Sequence, residues 1–201
     1  IEKGKIPADD LSAFQVRQIK SFGDPQLNQL IGRVWGEVRT TPDEMQNKID
    51  SLKESLETSL TAEVQLGNGH RLFKKLCQNC HRLFGEGEQI GPDLTGSNRN
   101  DIDYLLSNVV DPSAVVAKDY RMSILLTTDD RIFNGLVTNE TDRTISIQTA
   151  TENLSFDKKN IQNQKITDKS PMPDGLLDTL SNNEIRDLIR YLQQPTRITT
   201  D

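Results

Sequence analysis

The spacing of apolar residues divides the chain into a helical part, a strand-like part and a last helix. Up to about residue 66, apolar positions recur every three or four residues, as in amphipathic helices. These stripes cover residues 11–22, 27–35 and 49–60. A fourth stripe at residues 102–109 stops before Pro112, which disfavours helix in the residue preceding it. These four stripes predict four helices, and the helix-like segment GHRLFKKL predicts a further one between the third and fourth stripes.

From Asp119 to Asp168 the pattern changes to short, β-branched segments separated by turn residues, which indicates strands. Roughly five antiparallel strands are expected, because a smaller sheet buries too little surface on its own. The helical period returns near the C-terminus, where Ser181 and Glu184 have the spacing of a capping box. A helix that begins at Ser181 is therefore predicted.

The composition narrows the classes of function. Apolar residues make up only 34% of the 201 residues, a low share for a chain that must fill its own core. The 24 basic and 30 acidic residues offer no phosphate-neutralising surface, which argues against a nucleic-acid partner. No apolar run approaches the length of a membrane span. Residues 1–10 lack the apolar core of a signal peptide, and we expect the chain to be part of a longer protein.

Both cysteines of the chain lie in the sequence CQNCH, as Cys77 and Cys80, followed directly by His81. A thioredoxin-like redox pair needs a βαβ context, but a helix-like segment precedes this motif. A structural zinc site needs four ligands, whereas the chain has no third cysteine and only His70 as a second histidine. The third interpretation is covalent haem attachment, in which both thiols become thioethers and the histidine binds iron.

The surroundings of the motif resemble the cytochrome c fold. A helix precedes CQNCH, the sequence GPDLTG follows it, and PMPDGLL stands before the last helix. Nearly the whole chain is similar to a haem-binding domain of planctomycetes and verrucomicrobia, through GPDLTG, DYLLSNVVDPSAVV and PMPDGLL. In that family the domain is typically C-terminal to a dehydrogenase-like β-propeller and helical repeats.

The resemblance implies a role for each residue near the motif. Cys77 and Cys80 would hold one haem c, and His81 would be the proximal ligand of its iron. The backbone carbonyl of Pro92 would accept a hydrogen bond from the other ring nitrogen of His81, and Leu94 would pack on the haem.

Four further residues resemble positions where the first cytochrome helix crosses the last. They are Gly69, Phe73, Leu188 and Tyr191. Ordinary core packing predicts the same contacts for them. Arg99 is a possible partner of a haem propionate.

The sixth iron ligand has four candidates: Met45, Met122, Met172 and His70. Met45 lies in a polar helical turn distant from the motif, and Met122 lies in a strand-like segment. His70 precedes the motif on the same helix, so it would face away from the far side of the iron. Met172 stands between two prolines and leads into the last helix, as the cytochrome fold requires. We therefore predict that His81 and Met172 bind the iron.

These observations predict a mainly α chain with the cytochrome c fold, an N-terminal helical extension and an inserted small antiparallel β-barrel or sheet. The N-terminal helical region would cover residues 1–66. The cytochrome c core would comprise residues 67–118 and 169–201, and the inserted β subdomain residues 119–168.

The predicted function is one-electron transfer rather than catalysis, because two axial protein ligands leave no open position on iron. The resemblance implies a fused or partner dehydrogenase as electron donor. Two other interpretations stay open: a structural or partner-docking module with an incidental haem, and a haem enzyme with an open iron site. Because c-type maturation takes place outside the bacterial cytoplasm, we expect a periplasmic or otherwise extracytoplasmic location.

Overall fold

The computed structural model of the chain describes residues 10–58, 63–149 and 151–198. The chain forms two compact units, and each unit is built from two separate stretches of sequence. The first unit comprises Ile1–Arg39 and Val115–Met172, and the second comprises Thr40–Ala114 and Pro173–Asp201.

The first unit begins with two of the predicted helices, α1 (Ala13–Ser21) and α2 (Pro25–Val34). Ser12 and Gln15 form a capping box at the start of α1. The Asp24 side chain accepts hydrogen bonds from the first turn of α2, where proline occupies the first position and lacks the N–H that would otherwise need a partner. Both helices therefore begin at strong local signals, and both predictions are confirmed.

A two-stranded antiparallel ribbon follows, which the sequence analysis did not predict. Strand β1 (Gly36–Val38) pairs with β2 (Val115–Ala117). A Cβ atom on Gly36 would lie 2.2 Å from the Val116 carbonyl oxygen, so this close approach requires glycine. The indole N–H of the buried Trp35 donates to the Leu11 carbonyl oxygen at 2.8 Å.

The strand-like part of the sequence forms one open antiparallel sheet. Its strands are β3 (Ser123–Thr127), β4 (Ile132–Glu140), β5 (Thr144–Gln148), β6 (Asn153–Asp157) and β7 (Ile161–Ile166). They lie in the order β6-β5-β4-β3-β7, and a 3-10 turn at Lys158–Asn160 leads into β7. Leu125, Ile145 and Ile147 form the buried core of this sheet. The predicted five-stranded insertion is confirmed as a sheet.

The second unit contains the remaining helices of the described residues. They are α3 (Asp43–Thr58), α4 (Leu66–Leu76), α5 (Ile102–Val110) and α6 (Asn182–Leu192). Helix α3 packs on α5, and α4 packs on α6. The predicted capping box of Ser181 and Glu184 is present at the start of α6.

The contact between α4 and α6 depends on a glycine. A Cβ atom on Gly69 would lie 2.2 Å from the Asp187 carbonyl oxygen and 2.6 Å from the Tyr191 Cβ atom. Phe73 and Tyr191 are both buried, with ring centroids 5.7 Å apart, and Leu188 belongs to the same core cluster. The predicted contact of Gly69 and Phe73 in α4 with Leu188 and Tyr191 in α6 is confirmed.

One part of the predicted architecture needs correction. With six helices and a five-stranded sheet in the described residues, the chain is not clearly mainly α, and the sheet is not closed into a barrel. The predicted division into regions 1–66, 67–118 with 169–201, and 119–168 stays a prediction. Helix α3 belongs to the unit of the cysteine motif, whereas α1 and α2 belong to that of the sheet. Within the described residues, no helix combines the length and the apolarity needed to cross a membrane.

Candidate functional site

The cysteine motif lies in a helical turn that continues α4. Cys77 ends α4, and its carbonyl oxygen accepts hydrogen bonds from the Cys80 N–H at 3.0 Å and the His81 N–H at 2.8 Å. Both cysteines are free thiols of intermediate exposure. The turn therefore brings two free thiols and an imidazole together within five consecutive residues.

The imidazole of His81 is held in one tautomer. Its Nδ1 atom lies 2.8 Å from the Pro92 carbonyl oxygen, the contact that the resemblance implied. Because a carbonyl oxygen only accepts, the proton must lie on Nδ1, which leaves the lone pair on Nε2 for a metal. Burial lowers the pKa of His81, although the hydrogen bond to Pro92 opposes this shift. The hydrogen bond fixes the tautomer and burial favours the neutral ring, and an iron ligand needs both.

The loop that carries Pro92 is attached to the motif by backbone hydrogen bonds. The Gly91 N–H donates to the Cys80 carbonyl oxygen at 2.7 Å, and the Leu94 N–H donates to the Arg82 carbonyl oxygen at 2.8 Å. A Cβ atom on Gly91 would lie 2.6 Å from Cε1 of His81 and 2.9 Å from Nδ1. Gly91 therefore packs directly against the His81 ring, and a side chain at this position would overlap the ring.

Both thiols have a raised pKa and therefore ionise poorly. Burial, followed by the proximity of Cys80, raises the pKa of Cys77 to about 12, and burial also raises the pKa of Cys80. Redox-active CxxC pairs have a lowered thiol pKa, so this environment argues against the thioredoxin-like interpretation. Among the described residues, no group of three or more His, Cys, Asp or Glu side chains is placed to hold a metal ion, which argues against zinc.

The residues of the motif and its loop fit a covalently held haem. Cys77 and Cys80 supply two neutral thiols, and His81 presents a free Nε2 atom. Leu94 is half-buried and packs against the main core cluster of the second unit. Its contact with a haem stays a prediction.

The predicted propionate partner, Arg99, is occupied by backbone carbonyls. Its side chain is only 6% exposed. Its guanidinium group donates to the carbonyl oxygens of Leu94, Thr95, Leu192 and Gln194. These contacts use four of its five N–H groups, so a propionate role stays a prediction.

His70 takes part in a contact that the sequence analysis missed. The ring is nearly buried, its Nε2 atom lies 2.9 Å from a Glu86 carboxylate oxygen, and it stacks on Tyr191 at 5.1 Å. Arg197 forms an ion pair with the other carboxylate oxygen of Glu86. The only available signal was the position of His70 between Gly69 and Phe73 on the buried side of α4. Its Nε2 atom is engaged by Glu86, which argues against His70 as the sixth ligand.

The methionine candidates occupy different surroundings. Met45 packs against the core cluster of the second unit. Met122 precedes β3, and its N–H donates to the Lys169 carbonyl oxygen at 2.9 Å. Met172 is the last residue of the first unit, it is half-buried, and its N–H donates to the Ser170 hydroxyl oxygen at 3.1 Å. Its ligand role stays a prediction.

The first residue of α4 begins a segment that matches a known family. The family model for cytochrome c matches residues 66–119. The matched cytochrome c domain contains Cys77, Cys80, His81, Pro92 and Arg99, and it covers just over a quarter of the chain. Cytochrome c domains attach haem c through cysteine and use it for electron transfer. No curated protein matches the chain.

Proposed function

We propose that the chain is a monohaem c-type cytochrome domain that transfers one electron at a time. The observation that carries this proposal is the His81 ring, whose Nδ1 atom is fixed by Pro92 at 2.8 Å beside two free thiols in the same turn. A haem group bound there would supply reversible one-electron chemistry at its iron.

The residues of the chain would contribute attachment, orientation and exclusion of water. The thiols of Cys77 and Cys80 would each form a thioether, and Nε2 of His81 would bind the iron. Pro92 keeps the proton of His81 on Nδ1 and increases the donor strength of Nε2. The buried side chains of α4 and α6 would shield this side of the site from solvent.

Met172 is proposed as the sixth ligand. Its support is chemical: a thioether raises the reduction potential of a haem relative to a second histidine, and it suits an electron carrier. Flanking prolines and the hydrogen bond to Ser170 limit the conformations of this segment.

We further propose that the domain relays electrons from a fused or partner dehydrogenase to another carrier, outside the cytoplasm. The resemblance to the planctomycete and verrucomicrobial domain supports this proposal. In the haem-loaded parent protein, haem reduction should then keep pace with substrate turnover. Turnover with an oxidised haem would instead favour the structural or docking interpretation.

The attachment and the ligand set can be tested by expression together with the c-type maturation machinery. The wild-type chain should give the spectrum of a haem attached through two thioethers, with reversible one-electron reduction. Replacing both cysteines with serine should abolish attachment. The Met172→Ala variant should keep its haem but bind carbon monoxide, and the Met45→Ala variant is the matched control.

Three results would contradict these proposals. A wild-type chain without covalent haem would exclude the cytochrome function. Carbon monoxide binding by the wild type would indicate an open iron site and favour a haem enzyme. Equal carbon monoxide binding by the Met172→Ala and Met45→Ala variants would exclude Met172 as the ligand.

A further inference from the structure

The Arg99 side chain is buried and binds backbone carbonyls of two separate segments, unlike a charge on the surface. Its Nε–H donates to the Leu94 carbonyl oxygen at 2.6 Å, and Nη2 donates to the Thr95 carbonyl oxygen at 3.0 Å. Its Nη1 donates to the carbonyl oxygens of Leu192 and of Gln194, the latter at 2.9 Å. The guanidinium charge is thus buried among four backbone carbonyls.

The two pairs of carbonyls belong to distant parts of the sequence. Leu94 and Thr95 follow Pro92 in the loop beside His81, whereas Leu192 is the last residue of α6 and Gln194 follows it. A planar guanidinium fork can bind both pairs at once because its donors point in fixed and different directions. Arg99 therefore connects the loop beside His81 to the end of the last helix.

A second contact connects Arg99 with the turn after the motif. Its guanidinium lies over the Phe84 ring, 5.0 Å from the centroid. Phe84 has a φ of +52°, a conformation that is strained for a bulky residue and requires support from its surroundings. Further support comes from the Phe84 N–H, which donates to the Thr95 hydroxyl oxygen at 2.9 Å.

These contacts continue to the imidazole. The loop segment held by Arg99 is joined to the motif through the Leu94 N–H and the Arg82 carbonyl oxygen, and it carries the Pro92 carbonyl that fixes Nδ1. Release of the carbonyls of Leu94 and Thr95 would remove one support of this loop, which acts beside the backbone hydrogen bonds of Gly91 and Leu94 to the motif.

We propose that Arg99 is a positioning residue for His81, which ties the loop of Pro92 to the C-terminal end of α6 and so sets the strength of the His81–Pro92 hydrogen bond. The proposal rests on the proposed cytochrome function. It differs from the propionate role predicted from sequence, because it assigns the guanidinium group to protein carbonyls.

The test uses the haem-loaded chain with the Arg99→Lys and Arg99→Gln variants. Lysine keeps the charge but cannot bind two pairs of carbonyls, whereas glutamine also removes the charge. The matched control is Arg190→Lys, because Arg190 is partly buried, lies on α6 and donates to the side chain of Gln193. The measurements are the reduction potential and the solvent exchange of the His81 Nδ1 proton by NMR.

In the Arg99→Lys variant, the Nδ1 proton should exchange about tenfold faster than in the wild type, which corresponds to about 1.4 kcal/mol of lost ordering. The potential should rise, because a weaker hydrogen bond at Nδ1 makes the imidazole a poorer donor to iron. The Arg99→Gln variant should show the same faster exchange. Arg190→Lys should change neither measurement.

Wild-type exchange and potential in Arg99→Lys would overturn the proposal, as expected if a propionate needs only a positive charge at this position. If the Arg99 variants do not fold, proton exchange in the wild-type chain still tests the proposal. The Arg99 Nε and His81 Nδ1 protons should exchange through one opening with the same denaturant dependence, and different dependences would overturn the proposal. A wild type without covalent haem would refute the cytochrome function itself, whereas a normal haem with unaffected Arg99 variants would refute only this inference.

Discussion

The His81 ring is restrained from two sides by neighbouring residues of one loop. Pro92 fixes the proton of Nδ1, and Gly91 approaches the ring so closely that a single added carbon would overlap it. The chemistry at Nε2 therefore depends on a glycine and a proline that contribute no functional side chain. A change at Gly91 or Pro92 should therefore disturb the His81 ring even when both cysteines and the histidine are kept.

The Gly91→Ala variant tests the packing of the ring. The added Cβ atom would lie 2.6 Å from the ring, so the loop or the imidazole must move. The free energy of unfolding should fall by about 1–3 kcal/mol, the usual cost of overpacking, and the haem-loaded fraction should fall with it. Gly96→Ala is the matched control, since no described neighbour lies within 4 Å of its Cβ position. Equal haem content in the two variants would contradict the predicted role of Gly91.

The pair of His70 and Glu86 gives a prediction about pH. The hydrogen bond from His70, aided by the charges of Arg197 and Lys74, lowers the pKa of Glu86 below its ordinary value of 4.5. A carboxyl whose pKa is lowered by folding stabilises the fold above its unfolded pKa, and this contribution disappears as the pH falls through the folded pKa. Glu86→Gln should therefore destabilise the chain at pH 7 but not below the lowered pKa.

Urea unfolding at pH 7 and at a series of pH values descending from 4.5 measures this difference. Glu88→Gln serves as the control, because Glu88 is exposed in the same loop. A deficit of the Glu86→Gln variant that stays constant with pH would show that packing, rather than charge, links Glu86 to His70.

At the scale of elements, the packing of α4 on α6 depends on one of two glycines in α4. Gly69→Ala would place a Cβ atom 2.2 Å from the backbone of α6, and the free energy of unfolding should fall by about 1–3 kcal/mol. Gly67→Ala, in the same helix with no described neighbour within 4 Å, should raise it by up to about 1 kcal/mol. Thermal denaturation of both variants tests this contrast, and shifts of the same sign would contradict it.

The helices and strands were predicted better from the sequence than the contacts that each one makes with the others. Periodicity located α1 and α2, and the capping box of Ser181 and Glu184 located α6, because these signals lie within the helix or at its start. The ribbon of β1 and β2 was missed, since each strand has three residues and pairs with a distant partner. The apolar stripe of α3 indicated a buried face but not that α5 covers it. The residues of the cysteine motif were predicted from spacing, whereas the four carbonyls around Arg99 come from distant segments.

At the scale of the whole molecule, the charge is unevenly divided. The second unit contains 10 basic and 17 acidic residues, whereas the first contains 14 basic and 13 acidic residues. The second unit therefore carries a net charge of −7 and the first +1, so all of the net negative charge belongs to the unit of the cysteine motif. An electron partner that approaches this unit should carry a complementary positive surface.

Small redox reagents of opposite charge test this prediction. With the haem-loaded, reduced chain, oxidation by cationic hexaamminecobalt(III) should slow as salt increases, because the Debye length is about 10 Å at 0.1 M and shorter above it. Oxidation by anionic ferricyanide should accelerate instead. The slopes are read from stopped-flow rates at several ionic strengths, and slopes of the same sign for both reagents would contradict the prediction.

The split of the second unit into two stretches has a consequence for biosynthesis. Helix α4 and the cysteine motif leave the ribosome more than a hundred residues before α6, which covers Gly69 and Phe73. During that interval α4 lacks the helix that covers Gly69 and Phe73 in the folded chain. The core around Phe73 therefore closes only after α6 has been made.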